Sequence, residues 1–221
     1  MARSRRFDNI EAFGTPEAAL RRIQEKYLRY FAPGGAVLDL GCGLGLFLEL
    51  LQSHGFRPYG LDLDPDRSRR SGTRVGCDVA CANALQYLAD KSGLFDGIFA
   101  SHVIEHMCPG DAEQLIALSH AALKPGGALI VITPNCIARQ VMNEAFWLDT
   151  THVRPYPLAL LRKMMERSGF DVIAAGDDPD TRGRQTPVDA LVRRVRRLFI
   201  GRSLDQFEHA AGAVYIVGRK Q

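Results

Sequence analysis

Val37-Leu38-Asp39-Leu40-Gly41-Cys42-Gly43-Leu44-Gly45 decides how this chain folds. A short apolar run gives way to glycines spaced G-x-G-x-G, and a second apolar run, 46–51, follows at once. Strand, glycine turn and helix in that order put backbone N–H groups at a helix N-terminus, where a ligand can approach. A dinucleotide fingerprint, G-x-G-x-x-G, needs glycine at position 46, and Leu46 stands there. The next strand-like run ends in Leu61-Asp62-Leu63-Asp64-Pro65. An acid at the tip of that strand, Asp62, can accept both hydroxyls of a ribose. Asp64, directly before Pro65, suits the capping of the following helix better.

Outward from this segment, helical and strand-like stretches alternate. Residues 36–40, 57–61, 95–100, 128–132, 170–174 and 213–217 read as strands. Residues 16–31, with Leu20, Ile23, Tyr27 and Phe31 on one stripe, read as a helix, as do 46–51, 111–123 and 158–168. Lys124-Pro125-Gly126-Gly127 closes the third of these helices and Gly169 the fourth. Strands separated by helices mean βαβ units and a mostly parallel, doubly wound sheet covered on both faces. Residues 176–187, rich in Asp, Gly, Pro and Arg, read as a surface loop. With neither an internal repeat nor a low-complexity linker, residues 1–221 are expected to form one domain. It opens with a helical segment, 1–32, and carries an insertion at 176–210.

The 221 residues are 46% apolar and 24% charged, which excludes a disordered chain, a disulfide miniprotein and a collagen-like repeat. The longest apolar runs fall far short of the ~20 residues needed to cross a bilayer. Residues 1–10 are basic and polar with no apolar stretch behind them, so no secretory signal is read and a cytoplasmic location is expected. A formal charge of +3 is too small to imply nucleic-acid binding. Cys42, Cys77, Cys81, Cys108 and Cys136 contain no C-x-x-C pair. They read as thiols of a reducing compartment, not as a disulfide frame or a zinc site.

The segment 37–45 resembles motif I of the class I S-adenosylmethionine (SAM) dependent methyltransferases, and Asp62 matches their ribose-binding acid. Further matches follow in order: Asn83-Ala84-Leu85-Gln86-Tyr87-Leu88, Phe95-Asp96-Gly97-Ile98, Val103-Ile104-Glu105-His106 and Leu123-Lys124-Pro125-Gly126-Gly127. A narrower likeness, to methyltransferase domains of bacterial O-antigen and polysaccharide-modifying systems, rests on three stretches. They are Phe13-Gly14…Gln24…Tyr27-Leu28-Arg29-Tyr30-Phe31, Thr133-Pro134-Asn135 and Phe146-Trp147-Leu148-Asp149-Thr150-Thr151-His152-Val153-Arg154-Pro155. Thr150 departs from the proline usual in the last stretch, Ile23 from an arginine, and Asn83 from an aspartate.

The resemblance implies a Rossmann-like sheet of seven strands with the last antiparallel, and SAM as the methyl donor. It further implies that Gly41, Cys42, Gly43 and Gly45 let the backbone approach the amino-acid end of SAM, with Asp39 ordering the loop. Asp62 and Leu63 would meet the ribose, Asn83 and Ala84 the adenine, and His102 and Val103 the methionine part. Asn83 can bond an adenine amino group through its amide oxygen. Methyl transfer is a displacement that depends mainly on holding acceptor and methyl in line. A hydroxyl acceptor also needs its proton removed, and His106 and His152 are the two candidate bases. The alternative for His152 is a hydrogen bond anchoring a lid-like segment, 146–157. Phe146 and Trp147 either wall the acceptor pocket or pack under that lid.

The expected acceptor is a glycan or related cell-envelope intermediate, methylated on oxygen. Three rivals stand beside it. One is a methyltransferase of a small lipid such as a quinone precursor, and another is a SAM-binding module without catalysis. The third is a metal hydrolase, because 102–106 spell H-x-x-E-H. That last reading needs a long helix, which Cys108-Pro109-Gly110 breaks, so no metal is expected. Residues 189–199 form a candidate amphipathic helix. Val188, Leu191, Val192, Val195, Leu198 and Phe199 fall on one stripe, and Arg193, Arg194, Arg196 and Arg197 crowd the rest. Such a helix suits either packing on the sheet or peripheral contact with an anionic membrane.

Overall fold

The computed structural model describes residues 16–181 and 210–221. The first fifteen residues and the basic stretch 188–199 therefore lie outside the described residues. β1 (Ala36–Leu40) is buried along its whole length, as its apolar sequence demands, and lies between β2 (Arg57–Asp62) and β4 (Phe95–Ser101). It runs parallel to both. β3 (Asp78–Cys81) extends the sheet beyond β2, and β5 (Leu123–Pro134) pairs parallel with β4. β7 (Ala213–Lys220) inserts antiparallel between β5 and β6 (Phe170–Asp177). The seven strands stand in the order β3-β2-β1-β4-β5-β7-β6. This is a Rossmann-like doubly wound sheet, parallel except for its last strand.

Alternation along the central strands sorts the core into two layers. Leu38, Leu40, Ile98, Ala100, Leu129 and Val131 face one side, where α5 (Pro109–Ala122) and α6 (Leu158–Arg167) supply Leu115, Ile116, Leu161 and Met165. Val37, Phe99, Ile130, Ile132 and Val217 face the other, against Phe47, Leu48 and Leu51 of α2 (Leu46–Ser53). Phe47 and Phe99 stack there with centroids 3.8 Å apart, a pairing worth about 0.5–1.5 kcal/mol beyond its burial.

Several elements depart from expectation. The helix foreseen over 16–31 splits into α1 (Glu17–Glu25) and a 3₁₀ turn, Leu28–Tyr30. No residue of α1 is buried, whereas Tyr27, Leu28 and Phe31 all enter the core. The breaker at 124–127 lies within β5, where the register shifts between Phe95/Leu123 and Gly97/Ala128. Asp96 ties that irregularity down, its Oδ2 accepting from both Lys124 Nζ and the Ala36 N–H at 2.8 Å. β6 runs on to Asp177, so the loop expected from residue 176 starts later. β3 is four residues long with no buried side chain, and its sequence gives no apolar alternation to find it by.

Between β1 and β4 the strand order reverses. In open α/β sheets that switch point opens a crevice at the carboxyl ends of the strands, where ligands bind. The glycine turn leaves β1 on one side of it and residues 102–106 leave β4 on the other.

Candidate functional site

Gly41 has φ +72°, and a Cβ there would stand 2.8 Å from Val103 Cγ2. The glycine turn and the β4 exit are thus in direct contact, which is why a side chain at 41 is excluded. Gly45, at φ +81° before α2, is required for a different reason. Its missing side chain lets Ser71 and Val75 of α3 (Pro65–Val75) approach to 3.0 and 3.2 Å of where a Cβ would be. Its N–H donates to the Cys42 carbonyl. The Cys42 side chain likewise points into the core, its Sγ 3.7 Å from Ser71 Oγ.

The loop amides expected to face a ligand carboxylate are also taken. Those of Gly41 and Cys42 donate to the Leu61 carbonyl at 2.7 and 3.0 Å, and that of Gly43 donates to Asp62 Oδ2 at 2.9 Å. Packing β1 against β2 leaves these donors nothing better than the neighbouring strand end. Asp62 is buried, and its Oδ1 accepts from Asp64 N at 2.9 Å. A carboxylate offers about four lone-pair sites, so two remain for a pair of ligand hydroxyls. Asp64 caps α3 as expected, accepting from Asp66 N and Arg67 N.

Asp39 is buried at the end of β1. Burial first, and then the Asp62 carboxylate, push its carboxyl well above the usual range. Two neighbouring acids suit a ligand that brings hydroxyls and positive charge together, as the ribose, ammonium and sulfonium of SAM do. The open space above Gly43, where a Cβ would meet nothing nearer than 4.0 Å, leaves the backbone accessible beside them.

Leu63 is 60% exposed at the tip of β2, free to cover a planar base. Asn83 does another job. Its Oδ1 accepts from Leu85 N at 2.9 Å and Gln86 N at 3.4 Å, capping α4 (Ala84–Leu88). The oxygen assigned to an adenine amino group is committed to the orphan amides of a helix start, and Ala84 opens that helix.

The β4 exit carries a cluster of titratable side chains. His102 holds φ +56°, the one positive φ outside glycine among the described residues. Its Nδ1 lies 2.9 Å from Glu105 Oε1, and Thr133 Oγ1 donates to Glu105 Oε2 at 3.0 Å. Burial alone would raise the Glu105 carboxyl, yet the His102 contact outweighs it and holds it below the usual range. Residues 104–106 form one 3₁₀ turn. The H-x-x-E-H string thus does not lie along a helix, and His102 partners the glutamate instead of standing beside His106.

His106 meets His152, the rings tilted with centroids 4.7 Å apart. The lid backbone brings them together, Val153 N and Arg154 N both donating to the Glu105 carbonyl, at 2.8 and 3.2 Å. Tyr156 OH adds a bond to the Met107 carbonyl at 2.8 Å. His152 Nδ1 donates to the Phe146 carbonyl at 2.6 Å, the anchoring bond foreseen as an alternative, and its ring stacks on Phe146. Thr151 Oγ1 gives its proton to Asp149 Oδ1 at 2.6 Å, so toward His106 Nδ1, 2.9 Å away, it can only accept. On the other side of the His152 ring, Nε2 lies 3.9 Å from Asp149 Oδ2. Phe146 is buried under the lid, whereas Trp147 is 60% exposed with its Nε1 bonded to the Met142 carbonyl. Sequence reasoning named both histidines but missed Glu105, Thr133 and Thr151. Only the H-x-x-E-H string pointed toward the glutamate.

A doubly wound sheet with a glycine turn after β1, an acid closing β2 and polar groups at the switch point defines a SAM-dependent methyltransferase. Residues 12–175 match the family described as "Methyltransferase domain", and the chain belongs to it. Over 127 residues it is 31% identical to a ubiquinone biosynthesis O-methyltransferase of Xanthomonas campestris, a match covering 54% of this chain and 52% of that protein. The chain thus aligns with about half the length of the curated relatives it matches. A SAM-dependent methyltransferase from Archaeoglobus fulgidus shares the fold at TM-score 0.80 and 24% identity, covering 96% of this chain and 97% of that one. The 1,6-didemethyltoxoflavin-N1-methyltransferase of Burkholderia thailandensis, solved with S-adenosylhomocysteine, gives TM-score 0.68 at 18% identity, covering 99% and 84%. The likeness to O-antigen methyltransferases finds no support among these relatives.

Proposed function

We propose that the chain methylates a hydroxyl of a small, partly apolar acceptor of the quinone-precursor type. One observation carries this reading: two imidazoles stand together beside the β4 exit, which itself touches the glycine turn. A neutral hydroxyl is a poor nucleophile until its proton is taken, whereas an amine or a carboxylate needs no such pair. The relatives' names supply the acceptor type, and the exposed apolar side chains around the lid, Ile137, Trp147, Leu148 and Val153, suit an acceptor with an apolar part.

SAM supplies an activated methyl on a sulfonium. Asp62 holds the ribose, and Gly41 and Gly43 keep the backbone open beneath the amino-acid end. His106 or His152 accepts the hydroxyl proton at Nε2, with Thr151 and the Phe146 carbonyl holding the opposite nitrogen in place. A glycan hydroxyl, the second acceptor class, draws on the exposed Trp147 face, which can stack on a sugar ring.

The same pair of acceptor classes sets the experiment. Labelled SAM is offered with a panel of dihydroxybenzoate-type quinone precursors, nucleotide sugars and a polysaccharide fraction. Label is expected on the phenolic acceptors and to fall by about 10²–10⁴ in the variant lacking the true base. Label appearing only on sugar overturns the acceptor assignment.

A further inference from the structure

Burial sorts the side chains of the lid segment that follows His152. Thr151, Val153 and Pro157 are exposed, His152 and Arg154 are half-buried, and Tyr156 is fully buried. His152, Arg154 and Tyr156 thus form the inner side of this stretch, which the amides of Val153 and Arg154 fasten to the Glu105 carbonyl.

The Arg154 guanidinium is placed by its neighbours. It lies over the Tyr156 ring, 5.2 Å from the centroid, and that ring is anchored by its hydroxyl on the Met107 carbonyl. Burial pushes the Cys136 thiol and the Tyr156 hydroxyl up, and the Arg154 charge pulls against it at both. The guanidinium therefore stands between the exits of β4 and β5, two residues along the lid from the imidazole that meets His106.

No acid answers this charge. Arg21, Arg74, Arg162 and Arg167 each pair with a glutamate. Arg154 pairs with no carboxylate among the described residues, and its side chain makes one hydrogen bond, from Nε to the Pro155 carbonyl at 3.4 Å. A guanidinium carries five N–H donors at the edge of its plane, and stacking on a ring leaves that edge unengaged. A cation drawn partly out of water gains from an anion that satisfies those donors.

We infer that Arg154 sets acceptor specificity, its guanidinium binding an oxyanion group, carboxylate or phosphate, carried by the molecule that is methylated. The inference rests on the reading of His106 and His152 as the acceptor side of methyl transfer, and it narrows the acceptor class. The preferred acceptor bears an acidic group as well as the hydroxyl that takes the methyl. The flat fork of the guanidinium suits two parallel bonds to such a group, and the fixed Tyr156 ring holds the fork in one plane.

The test follows acceptor binding calorimetrically on the full chain loaded with S-adenosylhomocysteine. The probes are a dihydroxybenzoate, the methylcatechol that lacks its charge, and the corresponding dihydroxybenzyl phosphate. Wild-type protein should bind one of the anionic probes about ten- to hundredfold more tightly than methylcatechol, the range for hydrogen bonds to a charged group. Which anion gains tells carboxylate from phosphate. Arg154→Gln should erase the preference and leave the affinities for methylcatechol and S-adenosylhomocysteine as they were, a pattern that a purely structural role would not give. Arg154→Lys, a point charge without the fork, should keep only part of it. If circular dichroism shows the glutamine variant unfolded, the lysine variant decides, and an undiminished preference there overturns the inference. So does equal wild-type affinity for charged and uncharged probes, binding of none of them, or a preference unchanged in Arg154→Gln. Labelled methyl passing to the phenols with no gain from their charge would overturn it and leave the proposed reaction standing. An Arg154-dependent preference without methyl transfer would support the anion site and remove the phenol reading.

Discussion

Asp62 and Asp39 are neighbouring acids, yet replacing them should show in different measurements. Asp62 organises the turn through the amides of Gly43 and Asp64 and keeps lone pairs for a ligand. Asp62→Ala is expected to weaken SAM binding by about 1.5–3 kcal/mol, the range for hydrogen bonds to a charged group. Titration calorimetry of the folded variant checks this, and an unchanged affinity removes Asp62 from the site. Asp39 is an acid held above its ordinary pKa, so the folded chain keeps a proton that the unfolded chain loses. Its contribution to stability therefore falls as pH climbs from 3.8 through the raised value. Asp39→Asn should raise the ligand-free melting temperature at pH 8, by the equivalent of about 0.5–2 kcal/mol, and give no gain at pH 3.

At the scale of elements, two ties hold the fold where the sequence alone predicts breaks. Tyr27 OH donates to the buried Asp178 at 2.7 Å, and Lys26 pairs with the same carboxylate, so the 3₁₀ turn after α1 is clasped to the chain beyond β6. The second tie is Asp96. Partial burial pushes its carboxyl up, but Lys124 and the Ala36 N–H outweigh that and hold it below the ordinary range. An acid lowered in this way stabilises the fold above its unfolded pKa and ceases to as pH falls through the folded value. Asp96→Asn should cost about 1–2 kcal/mol at pH 7, with the deficit shrinking below pH 3.8. Urea unfolding at pH 7 and pH 3 measures both, and a deficit that does not change with pH would rule out the ion-pair account.

For the whole molecule, the open question is where the acceptor is met. Among the described residues, no helix is long and apolar enough to cross a membrane. The arginines at 193, 194, 196 and 197 fall outside those residues, and their role is argued from sequence alone. Each arginine near an anionic leaflet gains about 1 kcal/mol, and the gain is screened by salt. Sedimentation with phosphatidylglycerol vesicles should show weak binding at low salt that is lost when all four become glutamine, with SAM affinity unchanged. Absence of binding at low salt leaves those arginines as a solvated face.

The sequence by itself determined the doubly wound sheet, because strand-like and helical stretches alternate and each strand is followed by a helix or turn with local signals of its own. It also determined the β1 turn and Asp62, since glycine spacing and an acid at a strand tip are chain-local features. The tertiary structure decided what each polar group does. Asn83 looked like an adenine contact and is a helix cap, and Gly45 looked like a ligand glycine and is a helix-packing one. In both cases the backbone's own donors or a neighbouring helix claimed the position first. His106 and His152 are far apart in the chain and meet only because the lid docks on the Glu105 carbonyl. Periodicity reports which face of an element is buried. It carries no information on which two loops will share one end of the sheet, and that meeting assembles the chemistry of this protein.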